Sequence, residues 1–141
     1  MKKIICFILI FAFAASLCSC GKTKIDLEGT VMTFDHSVRV IDVEACSSAN
    51  ASRYPNAKVV DYTLKAENGN LIFVGSEGEQ VGTYEEYERR RDEVIYRVVI
   101  GDKDGYASLS EKEYEDGVKR YVLLFTLKGH TITFVSDKTA E

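Results

Sequence analysis

The sequence predicts an all-β domain, or a mostly β domain with one or two short helices, that follows an N-terminal signal helix. Its composition favours strands, with eight Tyr, seven Phe and one Pro in 141 residues. Turn dipeptides recur along the chain, the last three at intervals of twelve residues: Asn68-Gly69, Asp104-Gly105, Asp116-Gly117 and Lys128-Gly129. Such dipeptides suit the positive φ of hairpin turns, and their spacing is typical of an antiparallel meander.

Segments of alternating polarity flank these turns and predict three hairpins. The paired segments are 59–65 with 71–75, 94–100 with 106–109, and 118–127 with 130–136. The seven or eight strands expected in a domain of about 115 residues must bury their apolar faces against one another. The sequence therefore predicts a small barrel or a two-sheet sandwich, and the long last hairpin favours the barrel.

Two further strands are predicted before the first hairpin. Residues 25–34 alternate in polarity, and residues 37–45 do so with a shift between Val40 and Ile41 that indicates a bulge or bend. The small polar run 46–56 predicts a loop. The apolar face of the first strand is expected to contain Ile25, Leu27 and Val31.

Two segments carry helix signals. In 83–93, Thr83 and Glu86 have the spacing of a capping box, which favours a short helix, although the same residues could extend a strand into a charged hairpin. In 110–117, a serine at the start and a glycine at the end mark one or two helical turns. We expect a short helix in each of these two places.

Residues 1–19 have the pattern of a secretory signal peptide. Lys2 and Lys3 precede an apolar run over 4–15, and small residues follow it. The run is shorter than the roughly 20 apolar residues of a membrane-spanning helix. We therefore expect this segment to direct export and to be removed.

The segment 17–20, Leu-Cys-Ser-Cys, resembles the lipobox of bacterial lipoproteins. Leu17 stands at the aliphatic position, and Cys20 at the position of the obligatory cysteine; Cys18 fits less well, because Leu17 would then occupy the small-residue place. In that family a diacylglycerol is attached to the thiol, cleavage occurs before the cysteine, and the new amino terminus is acylated further with a chain such as palmitate. The resemblance implies that Cys20 is the lipid attachment site.

This assignment determines the remaining cysteine chemistry and the tether. Cys46 would be the one cysteine left without lipid, and we expect it to be buried as a small hydrophobic side chain rather than to react. Residues 20–24 would form a short acylated tether, and 25–141 a single β-rich domain. The protein is then expected to lie at the cell membrane or outer membrane, facing away from the cytoplasm.

The charge balance argues against a nucleic-acid partner. The chain has 18 Lys plus Arg and 22 Asp plus Glu, and loss of Lys2 and Lys3 would leave 16 against 22, a net charge of −6. The one dense basic run, 89–91, is flanked by acidic residues and is expected to form a solvated charged face.

The mature part is similar to the compact lipocalin-like domains of bacterial lipoproteins. The similarity consists of a meander after an acylated cysteine, tyrosine-rich strands and the tripeptide Gly82-Thr83-Tyr84 near mid-chain. The Gly-x-Trp of lipocalins is absent because the chain has no Trp. The resemblance implies a barrel whose mouth can hold a small apolar ligand.

The sequence contains no recognisable catalytic motif. His36 and His130 could hold a metal only by converging with a third ligand such as Asp35 or Cys46, and we expect instead that both are exposed turn residues. Residues 100–111 follow part of the spacing of an EF-hand calcium loop, but Ile100 occupies its first position and a hairpin explains the aspartates and glycine. We expect no enzyme activity, no cofactor and no metal.

The function expected is a non-catalytic binding module of the cell envelope, which takes a small apolar ligand or an envelope protein. Five tyrosines motivate this, because their rings are apolar and their hydroxyls polar: Tyr62, Tyr84, Tyr96, Tyr106 and Tyr121. The alternatives are a structural or inhibitory envelope module and, less favoured, a cryptic hydrolase or metal-binding protein. An open apolar cavity would favour the ligand.

Overall fold

A computed structural model of the protein describes residues 24–139. These residues form ten β-strands and one 3-10 helix, Ser48–Asn50. The strands are β1 (Val31–Arg39), β2 (Asp42–Cys46), β3 (Lys58–Val59), β4 (Tyr62–Glu67), β5 (Asn70–Gly75), β6 (Gly78–Arg89), β7 (Glu93–Ile100), β8 (Lys103–Glu113), β9 (Lys119–Leu127) and β10 (His130–Thr139). The predicted signal helix over 1–19 and the predicted lipid site Cys20 lie outside the described residues.

Eight of these strands close into an antiparallel barrel. The ring runs β1-β4-β5-β6-β7-β8-β9-β10, and β10 pairs with β1 to complete it. Closure pairs the backbone on both sides of each of these strands and removes the exposed edges of an open sheet. The predicted all-β class and barrel are therefore confirmed.

Strand β1 is shared between the barrel and a small flap. Its first residues, 31–33, pair with β4, whereas residues 36–39 pair with β2 on the same side. A bulge at Asp35, between Phe34 and His36, marks the change. Strand β3 then pairs in parallel with β2, so the flap widens one end of the barrel wall.

The two ends of the barrel differ. The end formed by the turns 68–69, 90–92 and 114–118 is crossed by residues 24–30, and we call it the closed end. The opposite end, which we call the mouth, carries the turns 76–77, 101–102 and 128–129. Leu27 fills the closed end: its side chain is fully buried, and its N–H donates to the Tyr96 hydroxyl at 3.0 Å.

The barrel interior near the closed end is filled by side chains. Alternate residues of the strands point inward there, as the period of two requires. The fully or nearly fully buried side chains of this layer are Met32, Leu64, Leu71, Val94, Tyr96, Val98, Leu109 and Leu123.

The helix predicted over 83–93 is wrong, because this segment is the end of β6, a turn and the start of β7. Strand β6 pairs with β5 over residues 78–83 and with β7 over residues 82–89, so the part predicted as helix lies in the pairing with β7. The capping box is a local preference of about 1 kcal/mol and does not outweigh the pairing of residues 83–89 with β7. The charged residues pair across the turn, as in Arg90–Glu93 at 2.8 Å.

The second helix, predicted over 110–117, is also wrong. Strand β8 continues to Glu113, and a turn with Gly117 at a φ of 73° leads into β9. The predicted turn at Asp116-Gly117 is thus confirmed. So are those at Asn68-Gly69 and Lys128-Gly129, where all four residues have positive φ.

The predicted turn at Asp104-Gly105 is wrong. The chain turns at Gly101-Asp102, where Gly101 has a φ of 63°, and Gly105 lies inside β8 opposite Val98. The reason for a glycine there is space: a Cβ at Gly105 would lie 2.5 Å from the carbonyl oxygen of Thr126 and 2.5 Å from Cδ2 of Leu127. The glycine therefore permits the close approach of β8 and β9.

Replacing Gly105 with alanine is expected to destabilise the protein by about 1–3 kcal/mol, because the carbonyl oxygen of a paired strand cannot move without opening the β8–β9 ladder. Urea unfolding measures this loss. Asp104→Ala, at the exposed neighbouring position, is the matched control and should change the free energy of unfolding by less than about 0.5 kcal/mol. Equal effects of the two substitutions would contradict the steric explanation.

The N-terminal strands are shorter than predicted. Strand β1 begins at Val31, so Leu27 is a plug rather than a strand residue, and Val31 is 43% exposed while Met32 faces the core. The shift between Val40 and Ile41 is not a bend within one strand but the hairpin turn between β1 and β2. Both side chains of this turn point into solvent, with exposed fractions of 86% and 84%.

Candidate functional site

The mouth of the barrel opens into an apolar cup of about 450 Å³. Its floor is formed by four phenylalanines, Phe34, Phe73, Phe125 and Phe134. Three of them are at most 5% exposed, whereas Phe73 is half-buried at the lip of the floor. Met32 and Leu64, in the filled layer, are buried and do not line the cup.

The other three rings of the floor pack around Phe134. Its ring centre lies 5.8 Å from that of Phe34, 5.9 Å from that of Phe73 and 5.7 Å from that of Phe125. These are edge-to-face or tilted contacts, which contribute about 0.5–1.5 kcal/mol each beyond area burial. The floor is therefore held in place by its own packing.

The walls of the cup are mostly apolar, and its charged groups stand at the rim. The wall residues come from the flap and from both sides of the ring: Ala45, Val60, Tyr62, Ile100, Leu127 and Ile132. The exposed rim residues are Lys58, Gln80, Asp102 and Lys103. Among the described residues, neither lysine lies within 4.0 Å of a carboxylate oxygen.

The buried polar side-chain atoms of the described residues are all hydrogen-bonded. Over residues 24–136, every buried side-chain nitrogen or oxygen has a hydrogen-bond partner. Deep binding in the cup would therefore rest on apolar contact, with polar selection confined to the rim and to Ser37 on the wall.

A polar cluster lies on the outside of the barrel, where the loop after β2 folds over β1. Asp35 accepts hydrogen bonds from the His36 ring at 2.6 Å and from the Asn50 side chain at 2.8 Å, and its carbonyl accepts the Ser47 N–H at 2.9 Å. The bond from His36 holds the pKa of the Asp35 carboxyl below its usual value, against the opposing effect of burial. The cluster fastens the loop to the barrel.

Cys46 is fully buried under this loop and outside the main core cluster, which confirms its expected role as a small hydrophobic side chain. His36 lies on β1 beside it in register, half-buried against the Tyr54 ring, with 5.5 Å between ring centres. The prediction of an exposed turn residue is therefore wrong for His36, and it is wrong for His130 too, which is half-buried and begins β10.

The two histidines do not converge. His36 bonds Asp35, whereas His130, the half-buried first residue of β10, lies 3.2 Å from a Glu44 oxygen. In the part of the chain that the structure describes, no three metal-binding side chains come together. The partial EF-hand spacing is a turn followed by β8, and a straight strand cannot wrap its carboxylates around an ion.

The five tyrosines that motivated a binding module are placed differently from one another. Tyr62 alone lines the mouth. Tyr84 and Tyr96 lie at the closed end, where burial raises the pKa of Tyr96 to about 12. Burial and the hydrogen bond to Glu28 also raise the pKa of Tyr84 above its usual value. Tyr106 is 48% exposed, and Tyr121 packs against the core.

No known protein family or relative identifies this site. Searches with protein-family models, among curated proteins and among solved structures gave no match. Among residues 24–139, no helix has the length and hydropathy that crossing a bilayer requires.

Proposed function

We propose that this protein is a non-catalytic, lipid-anchored binding module of the cell envelope that takes one small apolar ligand in the mouth of its barrel. The anchor is the lipid on Cys20 that the sequence implies. The cup carries the binding part of the proposal: about 450 Å³ of space over an aromatic floor, with charge only at its rim.

Three features of the cup support a ligand rather than an incomplete core. Its volume lies in the range of about 300–1,000 Å³ typical of small-molecule sites. Its floor is rigid because the rings pack against one another. Its wall includes the flap residue Ala45, so the β2–β3 extension enlarges the mouth rather than sealing it.

The alternative, a structural or inhibitory envelope module, is favoured by one observation. Val40 and Ile41 form an almost fully exposed apolar hairpin turn, which suits contact with another protein. Pairing along a free strand is less suited to this fold, because the ring is closed and β3 has only two residues.

Ala45→Trp tests the ligand site. The indole enters the cup, and we expect binding of the apolar dye N-phenyl-1-naphthylamine to fall at least tenfold, a loss of about 1.4 kcal/mol. Fluorescence titration of the folded protein measures the affinity. Because the natural chain has no Trp, the new indole also reports its own burial by its emission wavelength.

Thr126→Trp is the matched control, because Thr126 is exposed on β9 and does not line the cup. This variant should bind the dye as the wild type does. Equal dye binding by all three proteins, or none by the wild type, would overturn the ligand site and leave the protein-binding alternative.

A further inference from the structure

The N-terminal segment is fastened across the closed end of the barrel. The guanidinium of Arg89 donates to the Ile25 carbonyl at 2.7 Å, and the Gly29 N–H donates to the Ala66 carbonyl at 2.8 Å. Between them, the Glu28 carboxylate accepts the Asn68 N–H at 2.7 Å and the Tyr84 hydroxyl. Arg89 is thus mostly buried, at 19% exposure, so the prediction of a solvated face is wrong for it.

We propose that the barrel stands on its closed end on the membrane, so that the mouth opens away from the bilayer that holds the lipid. The surface involved is the closed end, and its partner is the polar headgroup layer of that bilayer. This inference rests on the lipid anchor proposed above and adds an orientation to it.

The length of the tether carries the inference. Lys24 lies four residues after Cys20, so the chain between them reaches at most about 14 Å. Arg89, which bonds the segment at the closed end, and Gln80, at the rim, are nine residues apart on β6, about 30 Å along the strand. With barrel strands tilted by roughly 40°, the mouth lies about 23 Å further along the axis than the tether's attachment.

The side chains at the two ends agree with this orientation. The closed end presents charges of both signs in ion pairs, among them Arg90–Glu88 at 2.9 Å and Arg120–Asp116 at 2.7 Å. The exposed apolar turn of Val40 lies at the mouth instead. A ligand would then enter from the aqueous side or from a second envelope component, and not directly from the anchoring leaflet.

Collisional quenching measures the orientation in the full, lipidated protein. Ser76→Cys places a label on an exposed mouth turn, and Glu115→Cys places one on an exposed turn of the closed end. Each variant carries a bimane label in vesicles of phosphatidylethanolamine and phosphatidylglycerol that contain a headgroup spin-labelled lipid. Unmutated protein gives the background from Cys46, which is fully buried.

We expect quenching several-fold stronger at position 115 than at position 76. A long Gly/Ser insertion after Lys22 should reduce the difference, because it removes the constraint of the tether. Equal quenching at both positions, stronger quenching at 76, or quenching at neither in protein that floats with the vesicles would overturn the orientation. Protein that fails to float would instead refute the anchor, and dye binding would still test the cup.

Discussion

Replacing Leu27 with alanine is expected to lower the free energy of unfolding by about 2–5 kcal/mol, the range for removing a buried leucine side chain. The side chain is fully buried at the closed end, and its backbone is fixed by the bond to Tyr96. Because the plug lies on a segment outside the ring, the barrel cannot contract to fill the space that it leaves. Urea unfolding followed by circular dichroism measures the change.

Val31→Ala is the control for this substitution. Val31 follows the same segment and is 43% exposed, so its truncation should cost less than about 1 kcal/mol. The folded fraction of Leu27→Ala should still bind an apolar dye, because Leu27 does not line the mouth. A loss below 1 kcal/mol for Leu27→Ala would show that the plug contributes little to stability.

The barrel was predictable because its signals are local and repeated. Alternation of polarity and the Gly turns at 69, 117 and 129 fix most of the hairpins, and the long last hairpin indicated closure. The failed helix over 83–93 shows the limit of such signals. Its capping residues are real, but residues 83–89 pair with β7, and no local pattern shows that this partner strand lies beside them.

The misplaced turn has a related cause. Gly101-Asp102 and Asp104-Gly105 both satisfy turn preferences, so propensity does not choose between them. The strand register chooses between them. With the turn at 101–102, Tyr96 stands opposite Ala107 and Val94 opposite Leu109, so that these side chains all face the core. Only the assembled sheet supplies that comparison.

The sequence predicted a binding site of this kind, but it did not predict where in the barrel the site lies. The tyrosines suggested a binding module, yet the floor is made of phenylalanines brought together by closure, and Phe34 and Phe134 are a hundred positions apart in the chain. The cup exists because the barrel is plugged from one end only. Leu27 belongs to a segment predicted to be a strand, so nothing in the sequence distinguished the closed end from the mouth.

Replacing Cys20 with alanine is expected to move the protein from the membrane fraction to the aqueous fraction, more than tenfold in the ratio of the two. Each buried CH₂ group of an acyl chain contributes about 0.8 kcal/mol, and two or more chains anchor stably where a single one is marginal. The measurements are membrane flotation and intact mass, which should show a chain that begins at Cys20 and carries diacylglycerol in the wild type.

Cys18→Ala is the matched control, since it changes the neighbouring thiol inside the segment expected to be removed. It should fractionate and weigh as the wild type does. Membrane retention of Cys20→Ala would refute the anchor, and loss of lipid from Cys18→Ala would move the attachment site. In either case the orientation proposed for the barrel would lose its basis, whereas the cup and its floor of packed rings depend on residues 34–134 and not on the lipid.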